Sequence, residues 1–236
     1  MIGHVYLLPC YLSDSNDRAH IAPVVSSVIK NTTYYLVENV RTARRFISSL
    51  QLGVEIDSLQ FEVMDKNFDP AALPHIFDPV VNGKADLAIL SEAGLPGIAD
   101  PGKYAVAYAH QQGVPVHPLP GSSSILLALI ASGLNGQQFS FHGYLPIEKQ
   151  ERKKKLKELE STLNATGYTQ LFMETPYRNN QLLTDVFLTL NPSTFLFIGS
   201  DITGEKEKCI TKQIGSWKKN PPDLHKIPTV FGLGKS

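Results

Sequence analysis

Short apolar runs closed by proline or glycine alternate with amphipathic stretches through the first half of the chain, and few architectures accept that rhythm. VYLLPC (Val5–Cys10), YYLVE (Tyr34–Glu38), LQFEVM (Leu59–Met64), DLAIL (Asp86–Leu90) and VPVHPL (Val114–Leu119) are too short for helices and predict strands. Between them lie helical spacings. Ile21, Val24, Val25 and Val28 share one face, with Pro23 in an opening turn. Ala43, Phe46, Ile47 and Leu50 share another. PAALPHIFDPVVNG predicts a proline-broken helical segment ending at Gly83, KYAVAYAHQQG a helix stopped by Gly113, and SSSILLALIASG an apolar helix opening on serines. Strands alternating with helices build βαβ units around a mostly parallel sheet.

The pattern changes near residues 141–155. FHGYLP is expected to be a turn-rich passage, and IEKQERKKKLKELEST a charged linker and exposed helix. Beyond it TQLFMET (Thr169–Thr175), STFLFIGS (Ser193–Ser200), KCITKQIG and PTVFGLG predict strands, with NNQLLTDVFLTL helical among them. The expected fold class is therefore α/β, in two α/β domains. Residues 1–119 form an N-terminal domain with a mostly parallel sheet, and residues 120–236 a C-terminal domain with a mixed sheet.

Composition narrows the function. Of 236 residues 42% are hydrophobic, and 22 basic residues balance 22 acidic ones. No overall basic field advertises nucleic acid, so an RNA partner would have to meet a local patch. Cys10 and Cys209 lack metal-clip or redox spacing, and the seven histidines show no metal motif, so no metal is expected. A start without a basic n-region, and no apolar run near the ~18 residues of a membrane span, lead to an expectation of a cytoplasmic protein with no membrane partner. The sequons at Asn31 and Asn164 are then chance matches. No Gly-x-Gly-x-x-Gly follows a strand, no Gly-x-Ser-x-Gly elbow occurs, and GLGKS at Gly232–Ser236 lacks the earlier glycine of a phosphate loop.

What remains are stiff, glycine-rich loops at strand ends. Leu8-Pro9, VENVR, SEAGLPGIADPG and PLPGSSS all follow predicted strands, where open parallel sheets bind their ligands. Glycine lets main-chain groups approach a ligand, and proline removes the freedom that binding would otherwise have to freeze out. Asp100, ahead of Pro101-Gly102, is expected to cap the next helix or fix the turn. Arg152-Lys153-Lys154-Lys155 reads either as a phosphate contact or as a solvated helix face paired with Glu148, Glu151, Glu158 and Glu160, the second being favoured. Arg41, Arg44 and Arg45 form a second basic cluster. Trp217 and Tyr177 have rings able to stack on bases, though packing or surface roles are commoner.

The ordered set LSEAGLPGIADPG, PLPGSSS, FSFHGYLP and LFMETPYR resembles the tetrapyrrole methylase superfamily, the class III S-adenosylmethionine-dependent methyltransferases, and within it the small-subunit rRNA cytidine 2′-O-methyltransferase branch. The resemblance implies two α/β domains with the cofactor in the cleft between them, and a homodimer. It assigns Pro9, Ala93, Gly94, Leu95, Ile98, Ser123, Ser124, Phe172, Met173, Pro228 and Thr229 to S-adenosylmethionine. It assigns Glu38, Arg41, Glu174 and Arg178 to substrate handling and catalysis, with rRNA or the small ribosomal subunit as partner. Glu38 or Glu174 would serve as general base for a ribose hydroxyl, and Glu92 would be suited to orienting the cofactor.

The chain departs from the branch in places. Glu-Asp-Thr-Arg is Glu38-Asn39-Val40-Arg41 here, and Ser-Asp-Ala-Gly-Thr-Pro is Ser91-Glu92-Ala93-Gly94-Leu95-Pro96. The first loop, PCYLSDSND, lacks the branch's glycine turn, SDITGEKEK replaces a more basic stretch, and a late Lys-Gly-Glu is missing. Methylation of a tetrapyrrole or other small molecule, and a catalytically impaired protein that keeps cofactor binding, are the alternative expectations.

Overall fold

The computed structural model describes residues 2–13 and 18–235. Residues 14–17, within the PCYLSDSND loop, lie outside the described residues. The chain divides into two compact units, Met1–Ser123 and Ser124–Ser236.

The first unit runs β1 (Val5–Leu8), α1 (Pro23–Asn31), β2 (Tyr34–Val37), α2 (Val40–Ser49), β3 (Gln60–Val63), α3 (Leu73–Val81), β4 (Leu87–Leu90), α4 (Gly102–Gln111) and β5 (Val116–Pro118). The sheet has the order β3-β2-β4-β1-β5, and each neighbouring pair is parallel. Every residue of β2 and β4 is buried, as strands covered on both faces require. Tyr34 and Leu36 pack with Leu73, Ile76, Phe77 and Ala105 of α3 and α4. Tyr35 and Val37 face the other way, onto Val25, Ile29, Phe46 and Ile47 of α1 and α2.

Pro23 opens α1 in the first turn, where its missing N–H costs no helical bond. The expected break at the prolines of the next helix does not occur: α3 runs through Pro79, which sits in its last turns, and ends at Val81.

The second unit runs α5 (Ser124–Ser132), β6 (Phe139–Tyr144), α6 (Lys149–Thr166), β7 (Thr169–Met173), α7 (Asn179–Thr189), β8 (Phe195–Ser200), β9 (Lys208–Gln213), α8 (Ile214–Lys219) and β10 (Thr229–Gly234). Its sheet order is β6-β7-β10-β8-β9, parallel only between β6 and β7. Leu156, Leu159 and Leu163 of α6 and Leu182, Leu183 and Val186 of α7 cover one face. On the other face Ala128 of α5 packs with Phe197 and Val230, and Ile125 and Leu129 with Leu171.

Three expectations for this unit need correction. The FHGYLP passage is not a run of turns: its first four residues complete β6, with a register shift between Phe141 and Tyr144 and Gly143 at φ +64°. A bulge lets a glycine sit inside a strand. The end of KCITKQIG leaves the sheet, and Ile214 starts a short helix that buries Trp217, whose Nε1–H donates to Leu196 O at 2.9 Å.

The third concerns Arg152, which belongs to neither a basic patch nor a solvated face. It is 1% exposed and donates from Nε and Nη2 to Asp185 Oδ2 at 2.9 and 2.6 Å, and from Nη1 to Ile147 O at 2.6 Å. Of the expected acidic partners, Glu158 pairs with Lys155 at 3.6 Å. Glu148 caps the helix by accepting Glu151 N–H, and Glu160 accepts Asn191 N–H and the Thr194 hydroxyl.

Candidate functional site

Parallel strands place all their carboxyl ends on one edge of the first unit's sheet, and the loops leaving that edge are tied to one another. Cys10 N–H, just past β1, donates to Gly94 O at 2.8 Å, and Gly94 N–H reaches Tyr11 O at 3.4 Å. Pro9 is buried, and a Cβ added to Gly121, after β5, would overlap its ring. Gly121 is therefore required by close approach. Gly94 is required twice over: its φ is +70°, and a Cβ there would lie 2.9 Å from a Leu12 methyl and 3.3 Å from Ser122 O. The loops after β1, β4 and β5 form one stiff block.

Asp100 holds the β4 loop in shape. Its carboxylate accepts Gly97 N–H at 2.8 and 2.9 Å and Gly102 N–H at 2.6 Å, so it fixes the turn as its sequence position suggests. Burial raises its pKa above the ordinary 3.8, against the pull of the N–H groups of Gly97, Gly102 and Ile98. Ala99 adopts φ +61°, a conformation that costs a non-glycine residue energy and persists only where neighbours enforce it.

Glu38 stands at the end of β2. Its Oε1 accepts Glu92 N–H at 2.9 Å, which joins the VENVR loop to the β4 loop. Burial pushes its pKa above the ordinary 4.5; the Glu92 N–H bond lowers it, and the charges of Asp100 and Glu92 raise it further. Asn39 caps α2 by accepting Arg41 N–H and Thr42 N–H at 2.9 and 3.2 Å. Asparagine caps as well as aspartate, so this departure leaves the backbone intact and removes only a charge. Arg41 itself is exposed, and Arg44 pairs with Asp57.

In the second unit β10 begins where β7 ends, with Val230 opposite Met173. Glu174, just beyond β7, is 3% exposed. Its Oε1 collects three donors: Thr175 N–H at 2.7 Å and Arg178 Nε and Nη2 at 3.0 and 2.6 Å. Its Oε2 is buried without a hydrogen-bond partner, as is Asn179 Oδ1 next to Arg178. Two buried acceptors lacking donors suit a ligand that carries amino or hydroxyl groups. Thr229 is buried and donates to Ile227 O at 2.9 Å, while Pro228 O accepts Asp201 N–H at 2.9 Å.

The predicted residues thus gather in two groups. Pro9, Glu38, Ala93, Gly94, Leu95, Ile98 and Ser123 lie on loops at the carboxyl edge of the first sheet. Met173, Glu174, Arg178, Pro228 and Thr229 lie where β7 meets β10. Ser124 opens α5 in the second unit. The Phe172 side chain is fully buried in the core, stacked on Phe231 with centroids 5.7 Å apart, so its ring does not face a ligand. The Glu38–Glu92 bond and the unpartnered Asn179 oxygen had no counterpart in sequence motifs, because both depend on side-chain direction. Among the described residues no cluster of His, Cys, Asp and Glu could hold a metal, and no helix is long and apolar enough to cross a membrane.

Solved structures share this architecture. Diphthine synthase matches with a TM-score of 0.67 at 10% identity over 98% of this chain and 88% of that one. Uroporphyrin-III C-methyltransferase from Thermus thermophilus, complexed with S-adenyl homocysteine, matches with 0.57 at 16% identity over 99% and 98%. This is the tetrapyrrole methylase fold. The ribosomal RNA small subunit methyltransferase I of Halalkalibacterium halodurans is 31% identical over 191 residues, 80% of this chain and 61% of that protein. The chain spans less than two thirds of the length of that relative. No family model matches the chain.

Proposed function

We propose that this tetrapyrrole methylase-fold chain is an S-adenosylmethionine-dependent methyltransferase that methylates a ribose 2′-hydroxyl of small-subunit rRNA, acting in the cytoplasm as a homodimer. The observation that carries the reading is the block of loops pinned by Cys10–Gly94 and Glu38–Glu92 at the carboxyl edge of the parallel sheet. When bound, the cofactor supplies a methyl group already activated on a sulfonium, so the protein's contribution is alignment and electrostatics. Holding reactants in near-attack geometry is worth ~7–11 kcal/mol, and a loop whose conformation is over-determined provides that alignment better than a mobile one.

The donor set fits such a group. Main chain of Ala93, Gly94, Leu95 and Ile98 would line it, with Pro9 and Ser123 beside them. In the second unit, taken by itself, the resemblance points to Ser124, Phe172, Met173, Pro228 and Thr229, and the unpartnered Glu174 Oε2 would accept an amino or hydroxyl hydrogen of a ligand. Glu38 is the better general base of the two carboxylates. Its raised pKa brings it nearer neutrality, whereas Glu174 has one oxygen committed to three N–H donors. Glu174 instead holds Arg178 in place through its Oε1, and in the first unit Arg41 is an exposed cation.

The balanced charge also supports a small-molecule substrate, which a spectral shift on adding a tetrapyrrole would reveal. Calorimetry with S-adenosylhomocysteine tests the cofactor half of the proposal, and absence of binding rejects it. Mass spectrometry of rRNA from a deletion strain, before and after incubation with purified protein, tests the substrate half. Failure to install a 2′-O-methyl mark on the unmodified subunit rejects that half.

A further inference from the structure

Beyond the buried Glu174–Arg178 pair, the same loop turns outward. Tyr177, between them, is 71% exposed. A second loop comes up beside it: His225 meets the Tyr177 ring edge-on with centroids 6.2 Å apart, and Lys226 Nζ stands 5.9 Å from the ring centre. The two loops are fastened together beneath these side chains. Lys226 N–H donates to Pro176 O at 3.0 Å, Leu224 N–H to Asn180 Oδ1 at 2.8 Å, and Asn180 Nδ2 to Asp223 Oδ1 at 2.7 Å. Lys226 is held at φ +61°, an unfavourable conformation for lysine. An ordinary surface loop would relax it, but the bond to Pro176 holds the Lys226 main chain in that conformation beside Tyr177.

We propose that Tyr177, Arg178, His225 and Lys226 form an RNA-contact patch in which Tyr177 stacks on an unpaired base and Lys226 and Arg178 meet the flanking phosphates. The inference rests on the rRNA reading above and extends it from the reacting group to the surface that grips the strand. A large ring left mostly in solvent while buttressed by imidazole and ammonium is the arrangement that single-stranded nucleic acid exploits, since every base offers a π-face. Cations are needed locally because the chain has no net charge. Glu174 and Asp223 temper the patch: the first pairs with Arg178, and the second accepts His225 N–H at 3.0 Å. The ring therefore supplies most of the grip, and the cations orient it.

The test is fluorescence anisotropy with a labelled single-stranded RNA of small-subunit sequence and its duplex form, alongside calorimetry with S-adenosylhomocysteine. Tyr177→Ala is expected to weaken single-strand binding by about 5- to 100-fold, with Tyr177→Phe and Tyr177→Trp close to the parent. Lys226→Ala should weaken binding evenly across sequences and lower the slope of log affinity against log salt by about 1. S-adenosylhomocysteine affinity should not change in any of them. The proposal is overturned if the parent binds no RNA, if Tyr177→Ala binds within about twofold of it, or if Tyr177→Phe loses as much affinity as Tyr177→Ala. If S-adenosylhomocysteine never binds while the Tyr177 dependence holds, the patch stands and the methyl-donor reading falls.

Discussion

Glu38 accepts the main-chain N–H of Glu92 at 2.9 Å, so the ends of two adjacent strands, β2 and β4, are joined by a side chain that is itself half-buried. The bond sets the direction of a carboxylate whose other oxygen, Oε2, is not used in it.

Replacing Glu38 separates its two roles. Glu38→Gln preserves an acceptor for Glu92 N–H but removes the base, so kcat is expected to fall by about 10²- to 10⁴-fold. Calorimetry should show S-adenosylhomocysteine affinity little changed. Equal activity of the two proteins would transfer the role of base elsewhere.

Stability should follow the same carboxylate. A folded pKa above the unfolded one means the native state holds the extra proton in the window between them. Glu38 therefore makes the protein less stable as pH rises from the ordinary 4.5 through its raised folded value, and the loss is absent below that window. Thermal unfolding of the parent against Glu38→Gln across this range checks the sign. An NMR titration of the carboxyl carbon should show a midpoint above 4.5.

The β4 loop depends on Asp100 and Gly94. Asp100→Asn removes charge from an acceptor serving the Gly97 and Gly102 N–H groups, among others, and should cost about 1–3 kcal/mol. Gly94→Ala combines a disfavoured φ with contacts to Leu12 and Ser122, and should weaken S-adenosylhomocysteine binding more than it lowers Tm. Parallel calorimetry and thermal melts measure both. An affinity unchanged in both variants would show that this loop does not hold the cofactor.

Arg152 and Asp185 should behave as a unit. Arg152→Met leaves Asp185 charged and buried, at an expected cost of about 3–5 kcal/mol in denaturant unfolding. Combining Arg152→Met with Asp185→Leu should recover most of that loss. A double variant as unstable as the single one would mean that the carbonyls of Pro146 and Ile147, which also rely on Arg152, dominate the site.

The first unit was legible because a buried parallel strand needs only a short apolar run and a stop, and Tyr34–Val37 and Leu87–Leu90 supply both. Strand ends could be read as binding loops for the same reason. Side-chain commitments could not. Arg152 stands in a basic run, yet its partner Asp185 is 33 residues away on another helix, and no local pattern links them. Gly143 spoke for a turn because a bulge and a turn ask for the same residue. Phe172 matched a family position, but its neighbour across the sheet, Phe231, decided that the ring points into the core.

The contrast between the two sheets has a kinetic consequence. In the second unit β8 and β9 are antiparallel neighbours joined by a short connection, so their pairing closes a small loop. In the first, β1 bonds only to β4 and β5, and chain from far along the sequence must arrive before it gains a partner. Pairings between distant segments form slowly. Pulse-labelled hydrogen exchange during refolding should protect amides of β8 and β9 before those of β1, so the portion that leaves the ribosome earlier is the one that waits longer for its native contacts.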